Sequence, residues 1–210
     1  MKTKLKLAGF IIVSSLSLSA QAALVSVDPD SFATGTDISN LYPDVTLTTC
    51  FGEPDQCNNP GSVFAVASPD ATTGNLVFGQ SATNTTWGNG VFEWLQVDFS
   101  VAVDSVSLDF ASNDAGGDSN AQLLAFNSLG VQIDIDSSAF VSAGNFVTLT
   151  VTGSDIAYVQ AYWDEFNRAE NGVLDNLIYN TVDVPEPASL ALLGLGLAVI
   201  GLARRKKLAA

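Results

Sequence analysis

Short segments in which apolar and polar residues alternate constrain the fold of this chain more than any other feature of its sequence. In NFVTLTVTG, Val147, Leu149 and Val151 fall on one side of an extended chain, and the threonines between them fall on the other. This two-residue period is that of a half-buried β-strand. VDSVSLDFA shows the same period, and AQLLAFNSLGVQIDI predicts two strands joined by a turn at Asn127–Gly130.

Similar segments follow one another through the middle of the chain, where no stretch has a helical stripe of ten or more residues. Short strands rich in Val, Thr and Phe and separated by turns predict an all-β protein, built as an antiparallel sandwich. The other predicted strands are LVSV, VTLTT, SVFAVAS, NLVFG, VFEWLQVDF, IAYVQAYW and GVLDNLIYN.

The first 22 residues have the layout of a targeting segment rather than that of a folded domain. Lys2, Lys4 and Lys6 precede the apolar stretch Leu7–Leu18, and a small-residue A-x-A site ends at Ala22. This pattern predicts a secretory signal peptide over the first 22 residues, with cleavage after Ala22. The alternative is an N-terminal membrane anchor, for which the apolar stretch is short.

Charge is distributed very unevenly along the chain. Between Ala23 and Asp183 there are 21 acidic residues and a single cation, Arg168, which gives a formal charge of −20. Such a surface repels nucleic acid and anionic membranes, so no nucleic-acid partner is expected. The chain has no histidine, and its lysines all lie near the two ends. Ser-His-Asp, Cys-His and Schiff-base lysine chemistry and histidine-based zinc sites are therefore excluded for this body.

The two cysteines lie close together in the segment CFGEPDQC. Because an exported chain meets an oxidising compartment, Cys50 and Cys57 are expected to form one disulfide that closes a small loop. The alternative is a pair of free thiols.

The last residues combine a proline motif, an apolar run and a basic end. Ala188–Ala203 carries no charge and would span roughly 24 Å as a helix, against a hydrocarbon core of about 30 Å. We therefore predict a transmembrane helix that is marginal as a permanent anchor. The positive-inside rule keeps the end of the chain in the cytoplasm. The cations concerned are Arg204, Arg205, Lys206 and Lys207.

VPEPASLALLGLGLAVIGLARRKK resembles the tail of PEP-CTERM proteins, in which a Pro-Glu-Pro motif precedes a transmembrane stretch and a basic cluster. The resemblance implies that Val184, Pro185, Glu186 and Pro187 are recognised by an exosortase, a membrane protease-transpeptidase. It also implies passage through the secretion machinery, transient insertion in the inner membrane, and delivery to the cell surface or the extracellular space. The prolines keep the motif extended, as a protease requires.

The body resembles the PEP-CTERM family less closely. SFATGTDISNLYPDVTLT is similar to the opening of many members, although Asp44 stands where glycine is common, and GVLDNLIYN is similar to their last strand. This resemblance implies a jelly-roll sandwich like those of carbohydrate-binding modules. Such modules often hold a structural calcium between the first and last strands, which would place Asp28, Asp30 and Asp175 at a metal site. The alternative is a set of solvated surface acids.

Two kinds of side chain are candidates for carbohydrate chemistry. Trp87, in the polar stretch NTTWGNG, is expected to be the most exposed tryptophan and so the candidate for stacking on a sugar; the alternative is a core residue. Glu93 with Asp164 or Glu165 could form the carboxylate pair of a glycosidase, although acids are abundant enough for chance pairs.

The sequence therefore predicts three parts: a signal peptide (1–22), a β-sandwich domain (23–182) and a PEP-CTERM sorting and anchor segment (183–207). The expected function is that of a secreted, non-enzymatic component of the exopolysaccharide layer or extracellular matrix, with exopolysaccharide as its partner. The alternatives are a polysaccharide-active hydrolase and a surface protein that stays anchored. No cofactor is expected apart from the calcium.

Overall fold

The computed structural model describes residues 22–52, 57, 59–87, 93–113, 120–164 and 172–182. These residues form one compact unit, Ala22–Val182. The predicted signal peptide, sorting motif and basic cluster lie outside the described residues. No helix long and apolar enough to cross a membrane occurs in the described part of the chain.

The described body is an all-β structure whose strands pair only in the antiparallel sense. A 3-10 turn at Pro29–Ser31 follows the first strand, and its first N–H groups are capped by Asp28. The strands are β1 (Leu24–Val27), β2 (Thr36–Asp37), β3 (Val45–Phe51), β4 (Phe64–Ala67), β5 (Leu76–Gly79), β6 (Glu93–Ser112), β7 (Asn120–Phe126), β8 (Gln132–Ser137), β9 (Phe146–Asp164) and β10 (Gly172–Thr181).

Two long strands, β6 and β9, each take part in two layers. The first half of β6 pairs with β3 and the second half with β10, and the register shifts between Asp98 and Val103. Such a shift lets a strand bend and pass from one layer to the other. Hydrogen bonding is therefore continuous, in the order β2-β4-β5-β10-β6-β9-β7-β8, with β1 on β10 and β3 on β6.

The result is a jelly-roll-like β-sandwich. Layer 1 contains β3, the first half of β6, the second half of β9, β7 and β8. Layer 2 contains β1, β2, β4, β5, β10 and the other halves of β6 and β9. Rings from the two layers meet in the core: Phe110 of layer 2 lies edge-on to Trp163 of layer 1, with 5.7 Å between ring centroids. Val97 of layer 1 and Val106 of layer 2 are both fully buried in the same apolar cluster.

The hairpin of β7 and β8 closes one side of the sandwich. Asp134 and Asp136 on β8 accept hydrogen bonds from the backbone N–H groups of Thr152 and Thr150, at 2.7 Å and 2.8 Å. Because carboxylates occupy these two backbone N–H groups on the edge of β9, this part of the edge is not open to another strand. The predicted turn at Asn127–Gly130 is confirmed, with Gly130 at a φ of 74°.

Candidate functional site

The outer face of layer 1 combines amide, carboxylate and aromatic side chains in rows that cross the strands. Directly paired residues of antiparallel strands project from the same face. Leu95, Val97, Val159 and Ala161 point into the core, so the residues between them point outward. We call this surface the layer 1 face; its members include Thr46, Thr48, Cys50, Trp94, Gln96, Asp98, Gln122, Leu124, Phe126, Tyr158, Gln160 and Tyr162, of which Cys50, Trp94, Leu124, Phe126 and Gln160 are buried.

A chain of hydrogen bonds runs through the middle of the layer 1 face. The Gln160 Nε2 donates to Gln96 Oε1 at 3.3 Å, and Gln96 Nε2 donates to both carboxylate oxygens of Asp98, each at 3.1 Å. Burial raises the pKa of Asp98, and the hydrogen bond from Gln96 partly offsets this. The register places Gln96 directly opposite Gln160, which is why two amides from distant parts of the sequence meet.

Aromatic rings lie beside this polar chain. Tyr158 stacks on Phe126 with 4.7 Å between ring centroids and an interplanar angle of 5°. The Tyr162 hydroxyl donates to Gln122 Oε1 at 2.9 Å. Trp94 is buried at the end of the same face, where it pairs across the strands with Cys50. Phe126 and Gln160 are each only 3% exposed, so the half-buried side chains, such as Tyr158 and Gln96, are the ones that a ligand can reach. A ring with an amide next to it can contact the apolar face of a small ring while bonding its polar substituents.

The expected exposure of Trp87 is wrong. Its side chain is fully buried in the core, and its Nε1–H donates to the carbonyl oxygen of Phe78 at 2.7 Å. The backbone of Trp87 also bridges that of Gly172. Although its neighbours in sequence are polar, Trp87 is buried because the indole has a large apolar area and its one donor is satisfied by a backbone acceptor. Trp87 is therefore not a sugar-stacking residue.

The predicted calcium set is not formed. Within the described residues no group of three or more carboxylate, histidine or cysteine side chains could hold a metal ion. Asp28 caps the 3-10 turn by accepting from the Asp30 N–H at 2.8 Å. Asp30 in turn accepts from the N–H groups of Asn75 and Leu76 at 2.8 Å and 3.0 Å.

Asp175, the third of the predicted ligands, is fully buried. It accepts hydrogen bonds from another part of the same β4–β5 loop whose far end, at Asn75, is bound by Asp30. Its Oδ2 accepts from the N–H groups of Thr72 and Thr73, at 2.8 Å and 2.9 Å, and its Oδ1 accepts from the Asn176 N–H at 2.8 Å. Burial raises the pKa of Asp175 while these hydrogen bonds oppose the shift. Backbone donors of the β4–β5 loop thus occupy oxygens that were assigned to calcium.

The predicted disulfide between Cys50 and Cys57 is confirmed, with their Cα atoms 4.8 Å apart. It ties the end of β3, at the margin of the layer 1 face, to the following loop. The residues predicted for sorting and for membrane orientation, Val184–Pro187 and Arg204–Lys207, lie outside the described residues.

The structure describes the side chain of only one of the three acids considered for glycoside hydrolysis. Glu93 accepts a hydrogen bond from Gln80 Nε2, and burial raises the pKa of Glu93 although that bond opposes the shift. Asp164 ends β9, and nothing is described of its side chain, while Glu165 lies outside the described residues. The structure therefore places one of the three acids.

Sequence reasoning missed the three glutamines of the layer 1 face, Gln96, Gln122 and Gln160. A signal was present: in FEWLQVDF and YVQAYW the amide occupies an outward position of an alternating strand, with aromatic or acidic residues two positions away. The pattern predicts that such residues share a face with their neighbours in the strand. It does not predict which strands lie side by side.

The body is similar to several solved domains at low sequence identity. A family 29 carbohydrate-binding module is 11% identical, with a TM-score of 0.43, over 77% of this chain and 92% of that one. A cleaved adhesin domain of Lys-gingipain is 14% identical, with a TM-score of 0.48, over 75% of this chain and 99% of that one. No curated protein matches this chain significantly.

The end of the chain gives a direct family match. Residues 183–207 match the family model described as the PEP-CTERM protein-sorting motif. This match confirms the resemblance drawn from VPEP, the apolar run and the basic cluster. The chain carries the PEP-CTERM sorting motif of exported proteins that are sent to the cell surface, joined to an antiparallel β-sandwich body.

Proposed function

We propose that this protein is an exported, non-enzymatic carbohydrate-binding component of the cell surface or extracellular matrix, and that the layer 1 face binds the carbohydrate. The observation that carries the proposal is the half-buried ring of Tyr158 near the half-buried Gln96 and Asp98, with the buried Phe126 and Gln160 packed and hydrogen-bonded behind them. A pyranose ring has an apolar C–H face and a rim of hydroxyls that both donate and accept. Aromatic rings with amides and a carboxylate next to them suit both features.

The charge of the body narrows the class of polysaccharide. With a formal charge of −20 between Ala23 and Asp183, the protein repels polyanions such as uronic-acid polymers. Asp98 adds a carboxylate within the layer 1 face itself. Neutral polysaccharides are therefore the proposed ligands.

Delivery follows from the tail. The signal peptide (1–22) takes the chain to the secretion machinery, and the apolar run holds it for a time in the inner membrane with Arg204–Lys207 in the cytoplasm. An exosortase then recognises Val184–Pro187 and removes the anchor, which releases the sandwich domain (23–182) to the cell surface. The motif match at residues 183–207 supports this route.

Affinity electrophoresis in native gels tests the binding proposal. The exported protein is run through gels that contain hydroxyethylcellulose, galactomannan or dextran, with alginate as the polyanion. We expect at least one neutral polymer to slow the protein and alginate to leave its mobility unchanged. Tyr158→Ala and Gln96→Ala should weaken the retardation, because each removes a group of the layer 1 face.

Thr150→Ala is the control variant, since Thr150 is exposed on layer 2 and should leave the retardation as in the parent. Each variant is melted alongside the parent to show that it is folded. Equal mobility of all proteins in every gel, or loss of retardation by Thr150→Ala alone, would rule out the layer 1 face as the binding surface.

A polysaccharide hydrolase is the competing proposal, and the raised pKa of Glu93 is the observation that favours it. A general acid in a glycosidase needs a carboxyl that stays protonated at working pH. Release of reducing ends from the same polymers, abolished by Glu93→Gln, would support hydrolysis. Intact polymer after prolonged incubation supports the binding protein.

A further inference from the structure

A pocket continues the layer 1 face beyond Asp98. It has a volume of about 380 Å³ and lies between the start of β3 and the place where the register of β6 shifts. We call it the end pocket; Thr46 and Asp98 line it and also belong to the layer 1 face. Its volume falls within the range of about 300–1,000 Å³ that is usual for small-molecule sites. The face and the end pocket are therefore one continuous surface.

The outward positions of β3 and β6 continue into the end pocket. Thr46 and Asp98 are directly paired, and two residues further on Asp44 lies beside Ser100. Ser100 donates its backbone N–H to the Asp44 carbonyl at 3.0 Å and its hydroxyl to Asp44 Oδ1 at 3.3 Å. From Gln96 to Ser100 the strand advances about 13 Å, which is longer than one pyranose ring. The surface therefore has room for more than one sugar unit.

The carboxylates of the end pocket have room for more donors than the protein supplies. Asp98 is half-buried, and among the described residues its one side-chain donor is Gln96, at 3.1 Å from each oxygen. Asp44 is also half-buried, and in the same part of the chain its side chain accepts from Ser100 alone. An ionised carboxyl group accepts about four hydrogen bonds and donates none. The end pocket therefore suits a ligand that brings several donors, as a sugar with free hydroxyls does.

Apolar surface lies beside these carboxylates. Pro43, which is exposed, and the half-buried Phe99 both line the end pocket. Sugar rings present C–H groups as well as hydroxyls, so a wall that combines apolar atoms and acceptors fits them. The negative charges of Asp44 and Asp98 disfavour an anionic ligand. The end pocket thus matches the neutral class of ligand that was argued for the layer 1 face.

We propose that the carbohydrate site of the layer 1 face extends into the end pocket and holds a neutral oligosaccharide of two or more units that runs along β6. One unit lies on Tyr158 beside Gln96, and the next unit directs hydroxyls to Asp98 and Asp44. This inference rests on the proposed function and deepens it, because the ligand becomes a stretch of chain rather than a single sugar. Since linked units share one loss of rotational and translational freedom, affinity should rise with chain length.

Isothermal titration calorimetry on the exported protein tests the length of the site. The probes are three series of neutral sugars from one unit to four: glucose to cellotetraose, mannose to mannotetraose, and glucose to isomaltotetraose. In at least one series, Kd should fall at least tenfold from the single sugar to the trisaccharide. Asp44→Ala should weaken binding of that trisaccharide about tenfold, because hydrogen bonds from its hydroxyls to a charged group are lost. Asp155→Ala, which removes the same charge at an exposed position on β9, should leave Kd unchanged.

Ile135→Ala tests the direction of the bound chain. Ile135 is paired with Leu124 at the other margin of the layer 1 face, and it is 48% exposed. Its strand, β8, is three strands from β6, which is a distance of about 14 Å. A chain along β6 does not reach it, so Kd should stay as in the parent. Weaker binding by Ile135→Ala with none lost by Asp44→Ala would show a chain that crosses the strands, which overturns the inference and leaves the proposed function standing.

Tyr158→Ala separates the inference from the proposed function, and each variant is melted to show that it is folded. If Tyr158→Ala weakens binding but Asp44→Ala does not, or if the parent gains no affinity with length, the inference fails and the proposed function stands. If Asp44→Ala alone weakens binding, the layer 1 face is not the binding surface and both fail. Absence of binding in all three series overturns the inference, and the retardation in gels then decides the proposed function by itself.

Discussion

Asp109 and Asp175 lie directly opposite each other on β6 and β10, and the hydroxyl of Thr72 is 2.9 Å from a carboxylate oxygen of each. Both acids are buried. The hydroxyl has one proton, so it can donate to only one of the two carboxyls at a time. Thr148 and Asn176 supply the further donors to Asp109. Thr72 thus joins the β4–β5 loop to the outer face of layer 2.

Removal of the Thr72 hydroxyl should loosen this loop and destabilise the protein. Thr72→Val keeps the shape of the side chain but removes one hydrogen bond to buried carboxylates, which keep their other donors, at a cost of about 1–3 kcal/mol. Urea unfolding measures the change in the free energy of unfolding. Thr73→Val is the matched control, because the Thr73 hydroxyl lies 3.3 Å from Asp175 and contributes less. Equal losses in the two variants would contradict the role given to Thr72.

Asp98→Asn should stabilise the protein at neutral pH. Burial raises the pKa of Asp98 above its ordinary value of 3.8, so the folded state favours the protonated form. The contribution of the protonated Asp98 carboxyl to the free energy of unfolding is fully present below pH 3.8, and it is lost as the pH rises through the pKa of the folded state. The variant escapes that loss, so its melting temperature should exceed the parent's at pH 7, and the difference should shrink towards pH 4. Asp155→Asn, an exposed site on β9, controls for the loss of one charge from an acidic body.

Loss of the disulfide should cost ~2–3 kcal/mol, because it closes a short loop between residues seven apart in sequence. A variant with Cys50→Ser and Cys57→Ser should unfold at lower urea concentration than the oxidised parent. Addition of a reductant should bring the parent to the same midpoint and leave the variant unchanged. A reductant effect on the variant would show that the loss has another cause.

The tail should be absent from the mature protein. Intact-mass measurement of the exported protein should show loss of the residues that follow the Val184–Pro187 motif. A variant with Pro185→Ala and Pro187→Ala should keep its tail and remain with the membrane, because the motif is no longer held extended. Pro69→Ala, in the β4–β5 loop, is the control and should be processed normally. A mature protein that ends in LARRKKLAA would contradict the processing model.

The strands themselves were largely predictable, because alternation of apolar and polar residues reports burial on one face. All eleven predicted strands correspond to strands or to parts of them, the two-residue β2 was not predicted, and the hairpin at Asn127–Gly130 was placed correctly. Two pairs of predicted strands, however, are continuous in β6 and in β9. Alternation cannot show that a strand bends from one layer to the other, since the bend arises from register shifts against neighbours that are distant in sequence.

The candidate site was much less predictable. Trp87 was chosen because its flanking residues are polar, but its burial depends on the backbone carbonyl of Phe78 and on Gly172. The roles of Asp30 and Asp175 also required the fold, because their partners lie in a loop 45 and 103 residues away in sequence. An abundance of acids identifies candidates but not the donors that reach them.

The sequence by itself determined the sorting motif, the disulfide and the all-β class, since each depends on residues that are close together in the chain. Only the tertiary structure decided which aromatic rings are buried, that Gln96 meets Gln160, and that Asp109 lies opposite Asp175. The physical reason is strand pairing: hydrogen bonds between β6, β7 and β9 set the rows of side chains, and local sequence carries no record of that register.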